Sequence, residues 1–173
     1  MLMNYLPTFH VLEPNNLTGL RNGHMLAQFP AATGLTQKTV GTAKFVENGL
    51  FVALGADGKV KNYATGDAQL FVVFNEELNT IVPGHKYYAT DLAEETPRAV
   101  AMYIGDTVTT DYFDKGATTA PKFAKISTAG VATLQDAADN DTAFVAVKST
   151  LADGTEAYEL TLYRLPTAKA TGD

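Results

Sequence analysis

The sequence predicts a mainly β protein. We expect an antiparallel β-sandwich or barrel built from hairpins, with room for two small β-lobes and an irregular N-terminal segment. Three observations predict this. Apolar and polar residues alternate in short bursts, the period of a half-buried strand. Gly-containing turns, Asp57-Gly58 and Asp153-Gly154 among them, stand between the bursts, and glycine there takes a positive φ at no steric cost. No window carries a sustained stripe at 3.6-residue spacing, so an amphipathic helix is not expected.

The clearest element is a hairpin. Leu50-Phe51-Val52-Ala53-Leu54 leads through Gly55-Ala56-Asp57-Gly58 into Lys59-Val60-Lys61-Asn62-Tyr63. Gln69-Leu70-Phe71-Val72-Val73-Phe74 is almost wholly apolar, as befits a central strand buried on both faces. Further strands are expected at 85–89, 98–104, 107–113, 122–127, 130–134, 143–149 and 156–165. In the last, Leu160, Leu162 and Leu165 should face a core while Glu159, Thr161 and Arg164 turn outward. Helical signals are confined to single turns at 91–96, before Pro97, and at 136–141. There is also an internal echo: Phe51-x-x-Leu54-x-x-x-Gly58-x-Val60 before Leu70-Phe71-Val72-Val73, and Phe123-x-x-Ile126-x-x-x-Gly130-Val131 before Phe144-Val145-Ala146-Val147. It fits either two related lobes or two ordinary hairpins.

Three regions follow. Residues 1–45 are punctuated by Pro7, Pro14, Gly19, Gly23, Pro30 and Gly34 and read either as connecting loops or as an arm that folds against a partner. As an arm, residues 2–15 should be removable without loss of the β-core. Residues 46–166 form the β-domain, and 167–173 are small and polar, a disordered tail.

Composition narrows the function. With no cysteine, disulfides and thiolate metal sites are excluded. A net charge of −6 and thirteen scattered Lys and Arg disfavour a nucleic-acid partner, which calls for a basic face. No stretch approaches the roughly 20 apolar residues of a membrane helix, and the N-terminus lacks the basic and apolar regions of a signal peptide. A protein kept in a cytoplasm is therefore expected.

A catalytic kit is hard to assemble. The candidate bases are His10, His24 and His85, and the only serines, Ser127 and Ser149, sit in no nucleophile motif. The histidines show no paired metal-ligand spacing. Asp136-Ala137-Ala138-Asp139-Asn140-Asp141 offers oxygen ligands but lacks the glycine and closing glutamate of an EF-hand, so it reads as an acidic turn. Glu76-Glu77 and Glu94-Glu95 would point to opposite faces of a strand. Phosphate-binding glycine loops are missing. No enzyme, cofactor or metal is expected. Eight Tyr and nine Phe leave rings for interfaces, and Tyr87-Tyr88 and Tyr112-Phe113 each place one ring per strand face.

The stretch Tyr103-Ile104-Gly105-Asp106-Thr107-Val108-Thr109-Thr110-Asp111-Tyr112-Phe113 resembles segments of structural proteins from tailed-phage heads, where a Gly-Asp turn opens a Thr-rich strand ending in an acid or amide and an aromatic. Lys122-Phe123-Ala124-Lys125-Ile126-Ser127-Thr128-Ala129-Gly130-Val131-Ala132 and Asn48-Gly49-Leu50-Phe51-Val52-Ala53-Leu54 are similar to the same group. The resemblance implies a head decoration (cement) protein. Such a protein, made in the bacterial cytoplasm and carried on the virion, would bind the major capsid protein on the outside of the assembled shell. It would stabilise that shell by mass action and avidity, with self-association into a symmetric oligomer. The contact residues expected by position are Tyr5, Leu6, Phe9 and Phe29. The competing expectation is a binding module of a phage fibre or adhesin that recognises a cell-surface glycan or protein.

Overall fold

The computed structural model describes residues 9–75, 89–93 and 95–166. They form a β-sandwich of two principal sheets, with a third small sheet beside it. The seven-stranded sheet runs, in spatial order, β1 (Leu12–Asn16), β10 (Thr107–Thr110), β15 (Glu156–Leu162), β14 (Thr142–Thr150), β12 (Phe123–Ile126), β13 (Ala132–Gln135) and β11 (Phe113–Asp114). The five-stranded sheet runs β2 (Met25–Leu26), β9 (Ala99–Met102), β7 (Leu70–Val73), β5 (Phe51–Leu54) and β6 (Val60–Asn62). The small sheet is β3 (Lys38–Val40), β4 (Ala43–Glu47) and β8 (Ala89–Asp91). Every strand pair is antiparallel except β11 with β13.

The alternation expected from the sequence decides the layers. Phe51, Leu70, Val72 and Met102 on the smaller sheet meet Val108, Phe144, Leu160 and Leu162 on the larger one in the main core. Each such side chain, fully buried, contributes about 1.5–3 kcal/mol by leaving water. Leu160 and Leu162 are fully buried while Glu159 and Thr161 are half-exposed, as the period of two requires. The five-stranded sheet also has a second covered face. Val52, Val73 and Ala99 pack there under Leu26, Leu35 and Val46, with Phe29 against them. This double burial is why β7 has no polar alternation.

The internal echo has a structural counterpart. β5 pairs with β6 on one side and β7 on the other, and β12 pairs likewise with β13 and β14. The two three-stranded units have the same connectivity but lie in different sheets. They share one core, in which the rings of Phe51 and Phe144 are 4.8 Å apart, so they are not separate lobes. The Phe51 N–H donates to the Gly130 carbonyl at 2.7 Å, which ties the first strand of one unit to the turn of the other. Gly130 has φ +73°, and a Cβ there would stand 2.6 Å from the Phe51 carbonyl oxygen.

The N-terminal region differs from its description as loops or arm. Residues 9–45 supply β1, β2, β3, the start of β4 and a single helix, α1 (Thr18–Asn22). Leu12 is fully buried in the main core and β1 runs along β10. Residues 2–15 therefore cannot be removed without cutting a strand. Helix α1 exists because Gly19 lets its backbone lie on β9, where a Cβ would come within 2.2 Å of the Ala101 carbonyl oxygen. It ends at Gly23, which takes a left-handed conformation and donates its cap N–H to the Gly19 carbonyl. The single turns expected at 91–96 and 136–141 are not helical: Asp91 ends β8 and the other described residues of the first are turn and coil, while the second is an irregular connection between β13 and β14. The expected tail, 167–173, and Tyr87-Tyr88 lie outside the described residues.

The sheet edges are short or blunted. β2 and β11 are two residues long, and β1 carries Pro14, which has no N–H to offer. The outer edge of β6 is taken by the 30–32 segment, through Val60 N–H to the Pro30 carbonyl and Ala32 N–H to the Val60 carbonyl.

Candidate functional site

Among the described residues, buried polar chemistry concentrates where residues 9–12 enter the sandwich. Glu47, at the end of β4, is only 6% exposed. Its Oε1 accepts the backbone N–H of His10 at 3.1 Å and faces His10 Nδ1 at 3.0 Å. Lys38 Nζ on β3 donates to the same oxygen at 3.3 Å. The next residue is held independently, because Val11 N–H donates to Asp111 Oδ1 at 2.6 Å and Thr110 Oγ1 donates to the Val11 carbonyl at 2.7 Å. The His10 ring lies flat on Tyr112, centroids 4.0 Å apart and planes 16° apart.

The electrostatics follow from this packing. Burial would raise the carboxyl pKa of Glu47, but the hydrogen bonds from the His10 side chain and backbone, with the Lys38 ammonium, hold it below the ordinary glutamate value. The same burial, with the Glu47 charge nearby, pushes the Tyr112 phenol up to about 12. A buried carboxylate beside an imidazole is a pattern shared with acid–base sites. Here, though, its charge is already matched by three donors, and the imidazole is stacked and tethered. The arrangement is suited to fixing a chain segment in place.

A second polar hub adjoins it. Asn48, fully buried, accepts from Asn75 N–H at 2.7 Å and donates from Nδ2 to the Asn75 carbonyl at 3.3 Å. Asn75 Oδ1 in turn accepts from Thr90 Oγ1 and Arg98 N–H. Together Glu47 and Asn48 join the small sheet to the sandwich. Asp106, 1% exposed, does the same for α1: its carboxylate accepts Thr18 N–H, Thr18 Oγ1 and Tyr103 N–H at 3.0, 2.5 and 3.0 Å.

The residues singled out from the sequence fall in different places. Tyr5 and Leu6 lie outside the described residues, as does His85. Phe9 is buried against Phe45, centroids 5.1 Å apart, with Lys38 Nζ 5.2 Å from its ring centre. Phe29 is half-buried in the second core, so the two described phenylalanines are not brought together. His24 contacts the Tyr103 hydroxyl. The Asp136–Asp141 run is a hydrogen-bonded turn. Asp136 accepts Thr119 and Ala120 N–H, and Asp139 accepts Thr142 Oγ1, Gln135 Nε2 and Asp141 N–H. Sequence reasoning missed Glu47, Asn48 and Asp106. The one signal available was a charged or amide residue standing inside an otherwise apolar strand end.

The described surface carries hollows, two of them at the ends of the five-stranded sheet's strands. One, of about 410 Å³, is lined by small and polar residues, including Glu95, Thr96 and Arg98. The other, of about 310 Å³, lies over the exposed end of the five-stranded sheet, between Met25, Phe71 and Tyr103. The outer face of the seven-stranded sheet is partly apolar. Val145 and Val147 are 40% and 56% exposed, and Val145 stands between Phe123 and Thr161 in register. Among the described residues no helix is long and apolar enough to cross a membrane. No protein family, curated protein or solved structure matches the chain.

Proposed function

We propose that the chain is a non-catalytic structural protein of a tailed-phage head, a decoration protein that binds the major capsid protein on the outside of the assembled shell and stabilises it. The supporting observation is the outer face of the seven-stranded sheet, where Val145 and Val147 are exposed and Val145 stands between Phe123 and Thr161, on a sheet whose edges are blunted. A protein that must coat a surface in many copies needs apolar contact from side chains. It also needs sheet edges that do not pair with one another. The buried Glu47 carboxylate fixes the root of the N-terminal segment, so that residues before Phe9, Tyr5 and Leu6 among them, would start from a defined point on the protein.

The test is co-sedimentation of the purified chain with expanded, DNA-emptied shells and with procapsids of the phage that encodes it. Saturable binding to the expanded shell, lost in Val147→Lys, is the expected result. Binding to neither form overturns the reading, and retention on glycan-bearing host cells instead would make the chain a fibre or adhesin module.

A further inference from the structure

The chain contains two Asn-Gly pairs, Asn22-Gly23 and Asn48-Gly49, and the fold treats them in opposite ways. In this dipeptide the glycine nitrogen can attack the asparagine side-chain carbonyl, because glycine has no Cβ to block the approach. The reaction needs a side chain and a glycine N–H that are free to meet, and water to finish it.

Asn48-Gly49 is closed to this chemistry. Asn48 is fully buried. Its Oδ1 accepts the Asn75 N–H at 2.7 Å and its Nδ2 donates to the Asn75 carbonyl at 3.3 Å. The Gly49 N–H donates to the Val73 carbonyl at 2.9 Å. Attack would have to break all three bonds in a place that solvent does not reach.

Asn22-Gly23 is open. Residues 20–25 are all exposed, and the Asn22 side chain makes no hydrogen bond to a described residue. The space over the Gly23 Cα is empty to 4 Å. The restraint that remains is the bond from the Gly23 N–H to the Gly19 carbonyl, which also holds Asn22 at the end of α1. With five residues, α1 is too short to be stable by itself. It is anchored at its start, through Thr18 on Asp106 and Gly19 on β9. Fraying of its exposed end therefore frees the Gly23 nitrogen without uncovering the core.

We infer that Asn22-Gly23 is a self-modification site at which the chain converts its own amide to an acid, with water as the co-reactant. Base removes the Gly23 N–H proton and the nitrogen bonds to Asn22 Cγ. The Cγ–Nδ2 bond breaks, and the leaving nitrogen takes a proton from water and departs as ammonia, leaving a five-membered imide. Water then opens the imide. Addition at Cγ gives aspartate, and addition at the main-chain carbonyl carbon gives isoaspartate, whose backbone is longer by a methylene. No atom is oxidised or reduced. Either product places a carboxylate at the C-terminal end of α1, where the helix carbonyls already point. Isoaspartate also displaces His24, whose N–H donates to the Gly19 carbonyl at 2.9 Å and whose carbonyl accepts the Ala101 N–H at 3.0 Å. Those bonds lead into the pairing of β2 with β9, so the product loosens β2 from its sheet. None of this depends on the capsid reading.

The test is peptide mapping by mass spectrometry of the full chain, incubated folded and in denaturant at neutral and mildly alkaline pH, with fragmentation that separates aspartate from isoaspartate. In the folded chain Asn22 should convert at a rate rising with hydroxide and within about a hundredfold of its rate in denaturant, the cost of a local opening. Asn48 should be slowed by roughly a thousandfold or more, because it waits for global unfolding. Ammonia release from the folded chain should disappear in Asn22→Gln, whose longer side chain closes a ring poorly. The isoaspartate form, separated by ion exchange, should show faster hydrogen exchange at the His24 and Ala101 amides, with the β14–β15 amides as in the parent. Asn22→Asp, which adds the charge without the methylene, should change them less. Retention of the Asn22 amide as complete as that of Asn48 overturns the inference, as does undiminished ammonia release from Asn22→Gln. Unchanged exchange at His24 and Ala101 in the isoaspartate form overturns the loosening of β2.

Discussion

Replacing Glu47 by alanine removes the acceptor that holds the His10 N–H, the His10 ring and Lys38 together. The backbone N–H is the costly loss, because a part-buried donor without an acceptor costs about 1–3 kcal/mol. The Lys38 pair adds less: that side chain is 35% exposed, and screening holds such a pair to at most about 1 kcal/mol. Together these give about 1–4 kcal/mol. In a domain of this size each kcal/mol moves Tm by about 2–4 °C, so Tm should fall by roughly 2–16 °C. Calorimetry at neutral pH measures the drop, and hydrogen exchange locates it: the His10 and Val11 amides should lose protection before the β14–β15 amides. The pH dependence gives an independent check. The folded-state pKa of Glu47 is depressed, so its contribution is present above the ordinary value of 4.5 and is lost as pH falls through the lower folded value. The stability difference between parent and Glu47→Ala should therefore shrink below about pH 4.5. A Tm change under about 2 °C with the His10 amide still protected would refute the assignment of Glu47 as the anchor.

Four further outcomes are expected. Tyr63 is 2% exposed and its hydroxyl has no hydrogen-bond partner among the described residues, so Tyr63→Phe should leave Tm unchanged or raise it, by up to about 1–3 kcal/mol in chemical denaturation. Asp106→Ala strips three donors of their acceptor and should cost about 2–4 kcal/mol, with α1 amides exchanging first and Asp106→Asn retaining part of the stability. In an alkaline absorbance titration, Tyr112 should ionise near its elevated value of about 12, and Glu47→Gln should bring it down. Gly130→Ala combines a positive φ with a 2.6 Å approach to the Phe51 carbonyl; it should cost upwards of about 2 kcal/mol, and a neutral result in denaturant melts would disprove the coupling of the two units.

The hairpins and the strands from Ala99 onward were legible because their apolar period and Gly turns are local signals. β14 and β15, for example, lie where Ala143 to Ser149 and Glu156 to Leu165 place them, differing only by a few end residues. The N-terminal strands were not legible, because β1 and β2 are short and are held by partners about 75–100 residues away, which no local pattern encodes. Helix α1 left one trace, Gly23, which serves as its C-terminal stop. The polar anchor was invisible for a related reason. Glu47 reads as one acid in Val46-Glu47-Asn48, and its burial arises only when His10 and Lys38 are folded onto it. Phe9 and Phe29 could be recognised as apolar anchors, but sequence position alone did not say that their described surroundings are this chain's own core.

The matching connectivity of the β5–β6–β7 and β12–β13–β14 units has a kinetic consequence. Each unit closes its pairings within a short stretch of chain, and between them in sequence lies β10, whose partners β1 and β15 are distant. Local contacts form fast, whereas closing a long loop delays the β1–β10 pairing. The chain can thus assemble two three-stranded nuclei before either terminus is in place, with the contact between Phe51 and Phe144 as the step that joins them. During synthesis the first nucleus emerges well before the second exists. Its apolar face must then wait, uncovered, for roughly seventy residues of chain to follow. That interval is where this protein is most exposed to misassociation and where a chaperone would engage it.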